Sequence, residues 1–184
     1  RRLRAEPSVA YHRHCFRWLQ PAHPLLQRLL PQPDAALALF RSPSAGPLRT
    51  LVADHVVGGR IVFPGAAYLE TARAAASVAV GAGVALGGVF FVQPLAMGEA
   101  AWVECEVRGD CGFEVRSGDD EAEPTAHCSG QAAAAASTAR PQPMPTARTS
   151  AADVGALYSA FAVTGLQYGP AFRTVEAAWA GGGA

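Results

Sequence analysis

One long helix-like segment among strand-like runs constrains the fold more than any other feature. Pro64 and Gly65 open an Ala-rich stretch that continues to Val80, and Gly81 and Gly83 end it. Proline is tolerated in the first turn of a helix, where its missing N–H would have no partner, and glycine commonly ends a helix. Small residues fall on several faces of the segment: Ala66, Ala67, Ala72, Ala74, Ala75 and Ala76. The sequence therefore predicts one helix closely enclosed by a sheet.

Short runs with the β-branched and aromatic content of strands surround this helix. Four follow it, at residues 88–97, 101–107, 113–116 and around 127–130. Before it, residues 36–40 and 48–57 are apolar and are separated by the turn-rich residues 42–47, so we predict a hairpin there. One long helix with a series of antiparallel strands indicates the α+β class.

Composition excludes several classes of partner. Fifteen arginines and fifteen acidic residues give zero formal net charge, so no global field would attract nucleic acid. No apolar run is long and uncharged enough to cross a bilayer, and no signal peptide is evident, so we expect a soluble cytoplasmic protein. The cysteines lack metal-ligand spacing and are expected to be reduced, although two could face each other across a turn: Cys15, Cys105, Cys111 and Cys128.

His55 is the strongest candidate for a catalytic residue. It follows the apolar residues 51–53, which resemble a strand, and it precedes the predicted helix start at Pro64 by nine residues. This layout would hold an imidazole on a strand and bring a helix N-terminus near it. Imidazole is largely neutral near pH 7, so the segment can supply both a base and an oxyanion site.

Two motifs and an opening segment carry a resemblance to a known family. His55, Gly59 and Pro64 form a His-x3-Gly-x4-Pro pattern, residues 166–172 contain Tyr-Gly-Pro-x-Phe, and residues 23–26 read His-Pro-Leu-Leu. The chain thereby resembles the dehydratase domain of modular polyketide synthases and animal-type fatty acid synthases. The resemblance implies a hotdog fold, an antiparallel sheet wrapped round a central helix. It implies a single hotdog that is the N-terminal half of a double hotdog.

The resemblance also implies a domain organisation. Residues 1–22 would be a linker, with 11–18 resembling the tail that follows an acyltransferase domain, and 23–135 the N-terminal hotdog. Residues 136–150 would be a Pro/Ala-rich linker, and 151–184 the truncated start of the C-terminal hotdog, opened by a helix start at Ser150 and Asp153. The family's third motif is an Asp on a helix of that second half, and no Asp here matches it. We therefore expect the chain alone to be inactive and to expose apolar surface.

The resemblance implies the following chemistry. A β-hydroxyacyl thioester, carried on the 4′-phosphopantetheine of an acyl carrier protein, loses water to give an enoyl thioester. His55 would be the base, and the missing Asp would assist departure of the hydroxyl. No cofactor or metal would be bound by the domain itself, and the parent synthase is expected to be a homodimer.

Other site residues follow from the motifs. Gly59, or Gly65 after Pro64, could offer an N–H to the thioester oxygen, although both glycines could simply permit tight turns. Tyr168, Gly169 and Pro170 could bind substrate, with the Tyr168 hydroxyl bonding substrate or a catalytic group. Equally, Tyr168 could be a buried structural residue in a loop that Pro170 and Phe172 fix.

Glu70 and the remaining histidines leave alternatives open. Glu70 stands six residues after Pro64, where single-hotdog bacterial dehydratases place an acid, so a homodimer could rebuild a site. The alternative is a polar helix residue paired with an Arg. His127 is expected to be half-exposed, and His12, His14 and His23 to lie in linker or entry segments. Beside hydro-lyase action, two readings remain: a non-catalytic structural or carrier-protein interaction module, and a double-bond isomerase or cyclising relative.

Overall fold

The computed structural model describes residues 23–32, 38–80, 83–135 and 150–180. The strands are β1 Arg28–Leu30, β2 Ala38–Pro43, β3 His55–Val57, β4 Arg60–Ile61, β5 Val84–Phe91, β6 Trp102–Val107, β7 Gly112–Gly118, β8 Thr125–Ala134, β9 Ser150–Ala152, β10 Leu166–Tyr168 and β11 Ala178–Ala180. The helices are α1 Pro47–Val52, α2 Gly65–Val80 and α3 Val154–Val163, with a 3₁₀ turn at Pro170–Phe172. The predicted linkers, with Cys15, His12 and His14, lie outside the described residues apart from Ser150.

Six strands form one antiparallel sheet in the order β1-β2-β6-β7-β8-β5. A single row of cross-strand neighbours shows how the sheet faces its core: Phe40, Cys105, Val115, Cys128 and Phe91 lie side by side on successive strands. The first four are at most 2% exposed, whereas Phe91 on the edge strand is 56% exposed. The sheet is therefore covered at its centre and open at the β5 edge.

Helix α2 lies against the inner face of this sheet and contacts β2, β5, β6, β7 and β8. Ala72, Ala75 and Ala76 are fully buried. Alanine suits these positions because a larger side chain would push the helix off the strands and typically cost about 1–3 kcal/mol. This arrangement confirms the predicted central helix, which begins at Gly65.

A second, three-stranded sheet has the order β10-β3-β4 and carries His55. The predicted hairpin between residues 36–40 and 48–57 is wrong, since β2 pairs with β1 and β6. The run before His55 is likewise not a strand but the end of α1. Leu48 and Val52 are both buried, and their four-residue spacing places them on one face of a helix.

Several smaller predictions need correction. Asp153, not Ser150, caps α3, its carboxylate accepting the Ala156 N–H at 3.1 Å. Cys105 lies opposite Val115 rather than Cys111, and the three described cysteines are free thiols.

Strand β5 covers residues 84–91 rather than 88–97. In the part of the chain that the structure describes, no helix combines the length and apolar character that a membrane span needs.

His127 is 3% exposed rather than half-exposed. Its Nδ1 lies 3.1 Å from the Gln93 carbonyl and its Nε2 2.7 Å from the Ser117 hydroxyl. Because a carbonyl only accepts, Nδ1 carries the proton and the serine donates to Nε2. Burial lowers the pKa of His127, and the hydrogen bond to Gln93 opposes that shift. The sequence does not reveal the burial of His127 because its partners, Gln93 and Ser117, come from two other segments.

Candidate active site

His55 begins β3, and a two-residue turn returns the chain into β4. Val57 pairs with Arg60 across this turn, and Gly58 and Gly59 have φ angles of 57° and 77°. Two successive positive φ angles define the turn that matches the twist of a hairpin, and glycine adopts them without strain. The short hairpin fixes the backbone at His55 and so the direction from which its imidazole projects.

The imidazole of His55 is held in one tautomer. Its Nδ1 lies 2.7 Å from the carbonyl oxygen of Val62, and the Val62 N–H donates to the His55 carbonyl at 3.1 Å. A carbonyl oxygen can only accept, so Nδ1 carries the proton and the Nε2 lone pair is free. A half-buried ring in this state is an oriented base.

Two aromatic rings of the second motif pack on His55. Tyr168 pairs with His55 between β10 and β3, and the two rings stack with centroids 5.2 Å apart at 28°. Phe172 lies at the same centroid distance, tilted by 53°. The structure thus brings Tyr168 into contact with His55. The sequence predicts Phe172 only as a residue that fixes the loop, whereas its ring also packs on the imidazole.

Asp54 is bonded to the segment of the second motif, a contact that the sequence did not predict. Its carbonyl accepts the Gly169 N–H at 2.8 Å, and its carboxylate accepts the Ala171 N–H at 2.8 Å. A Cβ on Gly169 would stand 2.3 Å from the Asp54 carboxyl carbon. Gly169 therefore permits a close approach to Asp54, and Pro170 opens the 3₁₀ turn that brings Phe172 round to the histidine.

The two oxyanion candidates differ in what their N–H groups do. The Gly59 N–H donates to the side-chain oxygen of Gln167 at 2.9 Å, so it is engaged, and the geometry favours a turn role. Gly65 is exposed and is the first residue of α2, where helix N–H groups lack intrahelical partners. Buried Pro64 accepts the N–H groups of Ala67 and Tyr68 at 2.9 and 3.2 Å, which fixes the start of α2.

Glu70 has partners other than His55. Its carboxylate accepts two hydrogen bonds from Arg73, at 2.5 and 2.7 Å, and lies 3.0 Å from His23 Nε2. The hydrogen bond from Arg73 lowers the pKa of Glu70 to about 2, helped by His23 and opposed by burial. A carboxylate with that pKa stays ionised near pH 7 and is a poor proton donor.

No metal cluster forms within the described ranges, where no three His, Cys, Asp or Glu side chains converge. Surface clefts open beside His23 and beside His127, and neither is lined by His55. His55 is half-buried, and its hydrogen-bond partner Val62 lies three residues before the first residue of α2.

Comparison with solved structures gives the fold class of the chain. A solved structure, the dehydratase domain from the CurF module of curacin polyketide synthase, has the same fold, with a TM-score of 0.76, 21% identity and cover of 87% of this chain and 63% of its own. The class is the hotdog fold.

Sequence comparison then gives the family. The polyketide synthase dehydratase domain profile matches residues 23–117, and the polyketide synthase dehydratase N-terminal domain profile matches residues 117–184. The chain belongs to the polyketide synthase dehydratase family, and it comprises the N-terminal hotdog half of such a domain.

Two relatives show how much of a larger protein the chain spans. Polyketide synthase ThaG of Burkholderia thailandensis is 33% identical over 147 residues, covering 71% of this chain but only 3% of that synthase. An inactive histidine-to-phenylalanine variant of the CurJ dehydratase, solved with a bound compound, is 25% identical with a TM-score of 0.74, and covers 86% of this chain and 59% of its own.

Proposed function

We propose that the chain supplies the base half of a polyketide synthase dehydratase, a hydro-lyase acting on a β-hydroxyacyl thioester. The carrying observation is the 2.7 Å contact between His55 Nδ1 and the Val62 carbonyl, which leaves Nε2 as the proton acceptor. The inactive histidine variant of CurJ supports a histidine requirement in that relative. The substrate would arrive on the 4′-phosphopantetheine of an acyl carrier protein.

The proposed steps use this chain's residues as follows. His55 Nε2 takes the α proton, and the electron pair moves onto the thioester oxygen. The Gly65 N–H at the start of α2 stabilises that charge, since helix N-termini favour negative charge. The electron pair then returns to form the α,β double bond while the β C–O bond breaks. An acid protonates the departing hydroxyl, and water leaves.

The acid is proposed to come from the C-terminal half of the parent domain. Within the described ranges, no carboxylate forms a hydrogen bond or ion pair with the His55 ring. The carboxylate of Asp54 is bonded to Ala171, and that of Glu70 to Arg73 and His23. Positioned acid catalysis typically contributes about 10²–10⁴-fold, so we expect the 184-residue chain alone to eliminate water very slowly.

The second half is proposed to cover the open edge of the six-stranded sheet. Phe90, Phe91 and Val92, at the end of edge strand β5, are 56–68% exposed. Exposed apolar residues on a strand with unpaired backbone groups favour pairing with another strand. We keep the proposed division into a hotdog at 23–135, a linker at 136–150 and the start of a second half at 151–184. The homodimer of the parent synthase is likewise proposed.

The test separates proton removal from loss of hydroxide. The parent domain and its His55→Phe variant are given a β-hydroxyacyl pantetheine thioester in D₂O, with enoyl product and α-deuterium incorporation both measured. We expect the variant to lose both by at least about 100-fold while its thermal unfolding midpoint is kept. Near wild-type turnover by the variant would exclude His55 as the base. Deuterium exchange with no elimination in the wild-type parent domain would instead favour the isomerase reading.

A further inference from the structure

We propose that Asp54 is a positioning residue, which clamps the Tyr-Gly-Pro-x-Phe segment onto the strand of His55 and so holds the imidazole in register. This inference rests on the proposed role of His55 as base and deepens it. It concerns one side chain and one backbone carbonyl, both directly beside His55 in the chain.

The clamp consists of two hydrogen bonds, from residues on either side of Pro170. The backbone carbonyl of Asp54 accepts the Gly169 N–H, and the carboxylate accepts the Ala171 N–H, each at 2.8 Å. The carboxylate bond joins positions 117 residues apart. Hydrogen bonds to a charged acceptor are stronger than neutral ones, so this contact gives the segment a fixed attachment point.

The contact is possible because residue 169 has no side chain. A Cβ on Gly169 would meet three carboxyl atoms of Asp54 at 2.3–2.7 Å. Real Cβ atoms do not approach that closely, so an alanine there would displace the carboxylate or the segment. Gly169 of the second motif and Asp54, which directly precedes the first motif, therefore depend on each other: the contact needs both the carboxylate and the missing side chain.

The clamp determines where two rings lie. Gly169 directly follows Tyr168 and Ala171 directly precedes Phe172, and the centroids of both rings lie 5.2 Å from that of the imidazole. Strands β3 and β10 have only three residues each, so few backbone bonds hold them together. With Val62 bonded to Nδ1 and the rings packed on the imidazole, Nε2 is left as the reactive edge.

The experiment compares Asp54→Ala with Asp54→Asn, which keeps an acceptor oxygen. The matched control is Asp119→Ala, because the Asp119 carboxylate also accepts two backbone N–H groups, of Glu121 and Ala122, in an exposed turn. Histidine-labelled samples of the chain report the ring-current shifts of the His55 carbon-bound protons. The parent domain carrying the same substitutions reports kcat and KM.

For Asp54→Ala we expect the His55 proton shifts to move toward those of an unstacked ring, and kcat to fall by about 10- to 100-fold. Asp54→Asn should retain most of both, and Asp119→Ala should change neither. Gly169→Ala should reproduce the shift change of Asp54→Ala while keeping the aspartate. Thermal unfolding identifies any variant that has lost its fold, and the asparagine variant then carries the comparison.

Two outcomes would overturn the inference. Unchanged His55 shifts in a folded Asp54→Ala chain would show that the clamp does not position the rings. A fall in kcat with unchanged shifts would assign Asp54 a direct role instead. The NMR readout needs no turnover, so a parent domain that does not dehydrate would refute the proposed function while leaving the clamp testable.

Discussion

The six-stranded sheet with α2 and the three-stranded sheet with His55 are held together by different forces. In the first, Phe113, Val115 and Cys128 are completely buried against the helix. In the second, His55, Val56 and Val57 are all half-buried, and the turn that follows them is exposed. There the strands are joined by short ladders and by polar contacts such as those of Asp54 and Gln167.

This difference separates stability from site geometry. Burial of apolar surface is the dominant favourable contribution to folding. Most of the buried apolar side chains lie in the large sheet and its helix. The small sheet buries little apolar surface. Its residues are therefore constrained more by the position they give the imidazole than by the stability of the fold. Substitutions in the two sheets should therefore affect different measurements.

The largest expected effect on folding comes from a matched pair of phenylalanines. Phe113→Ala removes a fully buried ring from the large sheet and should lower the free energy of unfolding by about 3–5 kcal/mol. Phe172→Ala removes a half-buried ring beside His55 and should lower it far less while reducing turnover. Urea unfolding of the chain and kcat of the parent domain check the pair. Equal losses of stability would contradict the separation.

A smaller effect is expected from acid. The pKa of His127 is lowered in the folded state by burial, so the unfolded chain binds this proton more readily. His127 therefore contributes stability that is complete above the ordinary histidine pKa of about 6.5. That contribution is lost as the pH falls toward the lowered folded-state value.

Glu99, Asp119 and Glu123 share the cleft of His127, so a variant of His127 is needed to separate its contribution from theirs. The measurement is urea unfolding between pH 7 and 5 on the wild type and on His127→Gln. The pH-dependent decrease should be smaller in the variant. The same slope in both proteins would assign the acid sensitivity elsewhere.

The smallest effect is expected at Glu70. Its carboxylate is 40% exposed and bonded to Arg73 and His23, and exposed ion pairs contribute at most about 1 kcal/mol. Glu70→Gln should therefore leave the turnover of the parent domain unchanged, and Glu99→Gln, which breaks the exposed pair with Arg60, is the control. Loss of turnover in Glu70→Gln but not in Glu99→Gln would instead support Glu70 as the acid of a site rebuilt in a homodimer.

The sequence predicts local features of this fold well and long-range ones poorly. The bounds of α2 follow from Pro64, Gly65 and the glycines after Val80, which act within a few residues. Helix α1 was missed because its two buried residues, Leu48 and Val52, lie in a run that is also apolar enough for a strand. The ordered motifs led to His55 and Tyr168 together.

Contacts between distant segments could not be derived in this way. The hydrogen bond that the Ala171 N–H donates to Asp54 and the burial of His127 depend on how strands pair. Local composition carries no information on that pairing. Glu70 shows the converse, since its motif spacing suggested an acid while its neighbours Arg73 and His23 keep it ionised.

The graded burial of the cysteines gives the chain a built-in chemical probe. Cys111 is partly exposed in the β6–β7 turn, whereas Cys105 and Cys128 lie in the central row of the large sheet. Burial raises the pKa of Cys128 to about 11 and that of Cys105 further still, and only thiolates react readily with disulfide reagents. Once Cys15 is replaced, the first thiol to be modified should therefore be Cys111. The rates at which Cys105 and Cys128 are modified afterwards would then report how often the large sheet opens, without any added label.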